Sequence, residues 1–172
     1  MAESFPIEAL PRPTLLEPAA RHARLAEAAP LVLAAVAGEE DPIVVQTTLA
    51  CLLFHTFAQA NWCGFYRRVG PELLAVGPYQ GTLGCLRIPF SRGVCGAAAR
   101  ERRTQLVPDV HAFPDHIACD SASRSELVVP VLDADGVRAV LDLDSPLPDG
   151  FSEHEARALE ALVAQAFAHA RW

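Results

Sequence analysis

Apolar positions follow a helical period in the first third of the chain and alternate in short strand-like runs after it. From Thr14 to Ala37 the sequence is rich in Ala, Leu and Glu, and Pro30 marks a bend or a new helix start. Asp41-Pro42 supplies a cap followed by proline in the first turn, so a second helix opens there. Its apolar positions Ile43, Val44, Leu49, Leu52, Leu53 and Phe57 cover a broad face, and the pattern ends near Gln59. The stretch NWCGFYRRVGPELLAVGPY reads as a β-hairpin, two apolar runs flanking a Gly-Pro turn. CLRIPF is a further short strand, Val94 to Arg102 a short helix, and TQLVPDV a strand that ends at Pro108. The segment from Pro108 to Ser125 reads as a long loop, and loops of that length in compact domains are functional or mobile. ELVVPVLDADGVRAVLDLDS is the clearest hairpin, two β-rich runs joined around Asp135-Gly136. A capping box from Ser152 to Glu155 starts a final amphipathic helix.

This order predicts the α+β class: a single, mostly antiparallel sheet, its strands joined mainly by hairpins, with helices packed on it. Residues 1–13 hold three prolines and read as a loose arm, and 14–172 read as a single domain without internal repeats. The 172 residues are 51% apolar, enough for one sizeable core. A net charge of −7 argues against partners such as nucleic acid or an anionic membrane. The N-terminus lacks the basic and apolar regions of a secretory signal, and the apolar stretch from Ala26 to Phe57 is interrupted too often to span a bilayer. A cytoplasmic protein is expected, in which the five cysteines are free thiols or a redox-active pair, not a structural disulfide framework.

Candidate chemistry gathers in two places. Asp142 and Asp144 are two apart on a predicted strand and share a face, amid Val140, Leu141 and Leu143. With the turn centred on Asp135-Gly136, opposed positions sum to about 271, so Glu126 falls near residue 145 and three acids converge. Such a patch is either a solvated rim or a pocket in which like charge and burial keep one carboxyl protonated. A protonated carboxyl donates, and its neighbours hold a cation such as an ammonium. Cys119, on the polar loop, lies near His116, and that loop leads into Glu126. Exposure and a nearby imidazole favour the thiolate. Cys85 follows the glycine-containing run GPYQGTLG, where mobility suits a resolving thiol. Cys95 follows the Gly93-Val94 mouth of a helix, where the macrodipole favours an anion. Cys51 and Cys63 read as structural, and His111 as a loop-stabilising residue. Arg67, Arg68, Arg100, Arg102 and Arg103 read as solvated. The cysteine and histidine spacings are not those of a zinc site, and neither metal nor cofactor is expected.

The segments NWCGFY, GPYQG, CLRIPFSRGVCGAAA, VPDVHAFPDHIACDSASRSELVVPV and VLDLDS together resemble the free methionine-(R)-sulfoxide reductases, a catalytic branch of the GAF-domain fold. The resemblance runs from about Asp41 to the final helix. It implies a GAF fold with six antiparallel strands, a homodimer, and recycling by thioredoxin. It further implies that Cys119 attacks, Cys85 resolves and Cys95 is a third, auxiliary pocket cysteine. Glu126, Asp142 and Asp144 correspond to the acids that hold the substrate, and Trp62 and Tyr66 to the aromatic wall around its methyl end. Cys63, beside that wall, has no counterpart role. The implied activity is reduction of free L-methionine-(R)-sulfoxide to methionine through a sulfenic acid and a disulfide. The R preference comes from the resemblance alone. Two readings stay open beside it: a non-catalytic GAF small-ligand sensor, and a thiol redox switch.

Overall fold

The computed structural model describes residues 15–117 and 119–172. The arm at residues 1–13, and the start of the first helix at Thr14, lie outside the described residues. Helix α1 spans Pro18–Ala35 and α2 spans Pro42–Thr56. Strands β1 (Trp62–Gly70) and β2 (Leu73–Gly81) form the first hairpin, followed by β3 (Arg87–Pro89). Helix α3 (Gly93–Glu101) leads to β4 (Gln105–Val107) and a short 3₁₀ turn, Val110–Ala112. Strands β5 (Ser125–Asp133) and β6 (Gly136–Ser145) form the second hairpin, and α4 (Glu153–Ala166) closes the fold. The six strands lie in the order β3-β2-β1-β6-β5-β4, and every adjacent pair is antiparallel.

Local chemistry explains the element ends. The Asp41 carboxylate accepts from the Ile43 amide at 2.8 Å, satisfying an orphan donor of α2 beside Pro42. Ser152 and Glu155 complete both arms of the capping box on α4. Two expectations are corrected. Helix α1 runs through Pro30 without a break, because Leu25, Ala28 and Val32 on either side of it bury along one continuous face. Helix α2 stops at Thr56, and the Phe57 amide still donates to the Leu53 carbonyl while its own backbone turns extended.

The sheet separates two apolar layers. On one face α1, α2 and α4 bury Leu49, Leu53, Phe65, Leu127, Leu141 and Leu159. On the other, α3 covers Trp62, Tyr66, Ile88, Val128 and Val140, with its own Val94 and Cys95. Strand alternation then assigns the acids. Leu127, Leu141 and Leu143 point into the first layer, so Glu126, Asp142 and Asp144 point to the α3 side. The expected register differs by one residue: Glu126 pairs with Asp144, because the turn is centred on Ala134-Asp135, which alone would set Glu126 opposite Leu143, and a bulge between Val131 and Leu132 restores one position.

Candidate active site

Four elements build one pocket on the α3 face. Strand β1 contributes Trp62 and Tyr66, β5 Glu126, β6 Asp142 and Asp144, and α3 Val94 and Cys95, while loops bring Gly84, His116 and Cys119. In the register, β1 lies beside β6 with Trp62 opposite Asp144 and Gly64 opposite Asp142. The residue between the two aromatics thus has no side chain on the face where Asp142 projects. Sheet pairing brings the residues of β1, β5 and β6 together, and α3 and the two loops complete the pocket.

The acids are held out of water. Glu126 is 6% exposed and Asp142 4% exposed. Burial, then the charges of Asp142 and Asp144, pushes the Glu126 carboxyl well above the usual carboxylate range. Burial raises Asp142 to about 7, against the lowering effect of hydrogen bonds with Cys95 and Glu126. Asp144, nearer the rim, is raised by burial, by Asp142 and by Asp120. Three carboxyls in one pocket cannot all ionise cheaply, so the cluster retains a proton near neutrality. Asp142 Oδ1 is buried and has no hydrogen-bond partner among the described residues. Such an acceptor is costly unless a ligand donor meets it.

Cys95 departs from its expected character. The α3 N-terminus was expected to favour its thiolate, yet burial and the neighbouring Asp142 and Glu126 push the thiol well above its ordinary value. Its Sγ donates to Glu126 Oε1 at 3.9 Å, as a neutral thiol does. Three nearby carboxyls outweigh half a unit of helix dipole. Cys95 Sγ and oxygens of Glu126 and Asp142 lie within 4.8 Å of one another, a donor set able to surround a small cation. No sequence spacing announces it, because the donors come from α3, β5 and β6.

Cys85 and Cys119 are joined by a disulfide, with Cα atoms 5.3 Å apart across 34 residues of sequence. The bond closes the β2–β3 loop onto the long loop, and Cys119 lines the pocket with the acids. His116 lines it too, and burial, then His111, lowers the imidazole below its ordinary value, so it is neutral near pH 7. The aromatic wall is a stack. Trp62 lies 5.5 Å from Tyr66 and 5.2 Å from Tyr79 between ring centroids, both nearly parallel. Burial, with the acids and Cys95 behind it, keeps the Tyr66 phenol protonated. Gly84 is required here by close approach: a Cβ would come within 2.9 Å of the Tyr66 hydroxyl and 3.2 Å of Trp62. Tyr79 and Gly84 both lie in the GPYQGTLG run, which the sequence marked for resemblance and loop mobility and not as part of the aromatic wall. Of the other cysteines, Cys63 is buried under the sheet and Cys51 half-buried on α2. Of the arginines, Arg100 is not merely solvated, since it donates to the Phe90 carbonyl, while Arg103 pairs with Glu101 at the exposed surface. His111 donates through its backbone amide to Asp109.

The GAF domain family matches residues 41–168. A free methionine-R-sulfoxide reductase of Escherichia coli is 40% identical over 132 residues, 77% of this chain and 79% of that protein. One from Saccharomyces cerevisiae is 42% identical over 133 residues, 73% of this chain and 74% of that one. The chain belongs to the free methionine-R-sulfoxide reductase family of GAF-domain proteins. A solved structure of the Neisseria meningitidis free methionine-R-sulfoxide reductase, in complex with its substrate, superposes with a TM-score of 0.83 at 37% identity. It covers 92% of this chain and 95% of its own. For a GAF domain of this family, the six-stranded antiparallel sheet and the helices on both its faces are the expected frame. Among the described residues no helix is long and apolar enough to cross a membrane.

Proposed function

We propose that the protein reduces free L-methionine-(R)-sulfoxide to methionine, with Cys119 as nucleophile, Cys85 as resolving thiol and thioredoxin as the reductant. The observation that carries the reading is the Cys85–Cys119 disulfide at a pocket whose other wall is a buried cluster of three acids. A sulfoxide oxygen is a poor leaving group until it is protonated. A carboxyl kept neutral by burial and by like-charged neighbours supplies that proton. The Cys119 thiolate attacks the sulfoxide sulfur as the oxygen takes the carboxyl's proton, forming an Sγ–S bond; the hydroxyl then passes to Sγ as the Sγ–S and substrate S–O bonds break, so methionine leaves and Cys119 is a sulfenic acid. The sulfenic acid condenses with the Cys85 thiol, releasing water and forming the disulfide. Two electrons from an external dithiol then restore both thiols by exchange.

The acids also favour a free amino acid over a peptide. A free α-ammonium brings a full charge and three donors to Glu126, Asp142 and Asp144. A peptide-bound sulfoxide lacks that charge. The stacked Trp62 and Tyr66 offer an apolar surface for the methyl end. With the disulfide closed, the cavity measures about 30 Å³, room for a water or two. Backbone amides of the DHIAC loop, Asp115 to Cys119, are the candidates to meet the substrate carboxylate. The His116 amide already donates to the Phe113 carbonyl at 3.3 Å, and Ala118 lies outside the described residues. Preference for the R epimer follows the relatives' names, and a homodimer follows the resemblance.

The test is an assay with both free epimers and a peptide-bound sulfoxide, supplied with NADPH, thioredoxin and its reductase. Turnover is expected on the free R epimer alone. Cys119→Ser is expected to abolish it, and Cys85→Ser to give about one methionine per site and then stall. Wild-type steady-state rates in Cys119→Ser would end the proposal.

A further inference from the structure

Asp120 follows the nucleophile, yet its carboxylate is spent on other segments of the chain. Oδ2 accepts from Thr82 Oγ1 at 2.8 Å and from Asn61 Nδ2 at 3.2 Å, and Oδ1 accepts from the Ala122 amide at 2.8 Å. The last bond is a local turn. The other two reach 38 and 59 residues away, to the end of β2 and the approach to β1. Thr82 stands three residues before Cys85, in the same loop. Its carbonyl in turn accepts from Trp62 Nε1 at 3.1 Å, and Asn61 is pinned by its amide to the Asp144 carbonyl at 2.9 Å. The carboxylate therefore ties the Cys85 loop and the Cys119 loop to the aromatic wall and the acid strand. The three donors also hold the Asp120 carboxyl below the usual carboxylate range, which keeps it an acceptor.

Resting on the proposed reaction, we propose that Asp120 is a positioning residue, which holds the Cys85 loop against the Cys119 loop so that the sulfenic acid meets the resolving thiol. A sulfenic acid on an unclamped loop waits for Cys85 by chance. Two loops tied within one and three residues of the reacting sulfurs convert that encounter into a local one, the source of high effective concentration. Asp120 touches no reacting atom in this role. The reaction it assists is condensation of a sulfenic acid with a thiol, in which the S–S bond forms and the oxygen leaves as water.

The test reads the disulfide without any substrate. Reduced protein is equilibrated with mixtures of reduced and oxidised glutathione, and the Cys85–Cys119 disulfide is quantified in wild type, Thr82→Val, Asp120→Ala and the double variant. A hydrogen bond to a charged group predicts an equilibrium constant about tenfold lower in Asp120→Ala, and a smaller fall in Thr82→Val. The double variant is expected to match Asp120→Ala alone, since the bond that Thr82→Val removes is among the three that Asp120→Ala removes. Asp120→Asn, which retains one acceptor oxygen, is expected to fall between. In single-turnover reactions Thr82→Val is expected to release its first methionine at the wild-type rate. Trapping of its sulfenic acid by dimedone should rise severalfold. Unchanged glutathione equilibria in Thr82→Val and Asp120→Ala, or losses that multiply in the double variant, would overturn the role. A wild-type protein that makes no methionine would instead sink the proposed reaction and leave the glutathione result standing.

Discussion

At the residue scale, the chemistry rests on two kinds of group that need opposite surroundings. Cys119 needs access to become a thiolate, and it occupies a polar loop beside a neutral His116. Asp142 and Glu126 need exclusion from water to retain a proton, and they are buried under α3. Cys95 shares that environment and pays for it in reactivity, since burial and the acids hold its thiol neutral. These surroundings separate the enzyme from a simple thiol switch. A switch needs only the two loop cysteines. In Asp142→Asn with Asp144→Asn, peroxide is expected to drive formation of the Cys85–Cys119 disulfide as in wild type. Methionine production should fall by about 100-fold or more, the usual worth of a positioned proton donor, before counting lost ammonium binding. The disulfide is quantified by thiol counting and methionine by chromatography. Wild-type methionine production in the double variant would remove the acids from the reaction, and a wild-type protein that forms the disulfide with peroxide yet makes no methionine would move the reading to the switch.

At the element scale, the two hairpins do the positioning, and close packing between their strands makes them sensitive. Gly64 lies between Tyr79 on β2 and Asp142 on β6. A Cβ there would come within 2.2 Å of Tyr79 Cβ and 2.7 Å of its Cα, and a backbone atom cannot swing aside. Gly64→Ala is therefore expected to cost about 2–3 kcal/mol, read as a lower urea midpoint with an unchanged slope. It should also raise KM by forcing Tyr79 off Trp62. Much of this scale was legible from sequence. The hairpin turn before Gly136, placed within one residue, the Asp41-Pro42 start and the Ser152–Glu155 box are local signals, and each lies within a few residues of its partners. Two apart on a strand meant one face, so Asp142 and Asp144 were correctly grouped, and Glu126 came within one position of its true partner. The remaining error lay in the turn, centred one residue before the Asp-Gly pair, and was halved by a bulge that leaves no mark in the alternation. The course of α1 through Pro30 was illegible for a related reason. Proline propensity is local, whereas burial of Leu25, Ala28 and Val32 against α2 and α4 is not. Asp120, Asn61 and Thr82 escaped notice because polar residues in loops read as solvated until the loops are seen to meet. The direction of the Cys95 shift was misread because a helix terminus is visible in sequence and the facing acids of two other strands are not.

At the scale of the whole molecule, a buried acid cluster is a liability to folding that the rest of the protein must offset. The two apolar layers supply the offset, with the sheet between them. The cost has a sign that an ordinary protein lacks. In the unfolded chain Asp142 titrates near 4, whereas in the fold it is raised to about 7. Glu126 and Asp144 are displaced in the same direction. A raised carboxyl pKa contributes its full stability below the unfolded value, where the group is protonated in both states. That contribution is lost as pH climbs through the window from about 4 to about 7, since only the unfolded chain releases the proton freely. Each such proton costs roughly 1.4 kcal/mol per pH unit within its window. Exposed pairs such as Arg138–Asp133 lose their contribution only as pH falls through the ordinary carboxylate range and below, so they do not reverse the slope between pH 5 and pH 8. The reduced protein is therefore expected to show a lower urea midpoint at pH 8 than at pH 5. Asp142→Asn should flatten that dependence and, at pH 8, be more stable than wild type while less active. A wild-type midpoint that stays level or rises from pH 5 to pH 8 would mean that the acids are solvated in the folded protein. The proton that the sulfoxide oxygen requires would then have to come from another group.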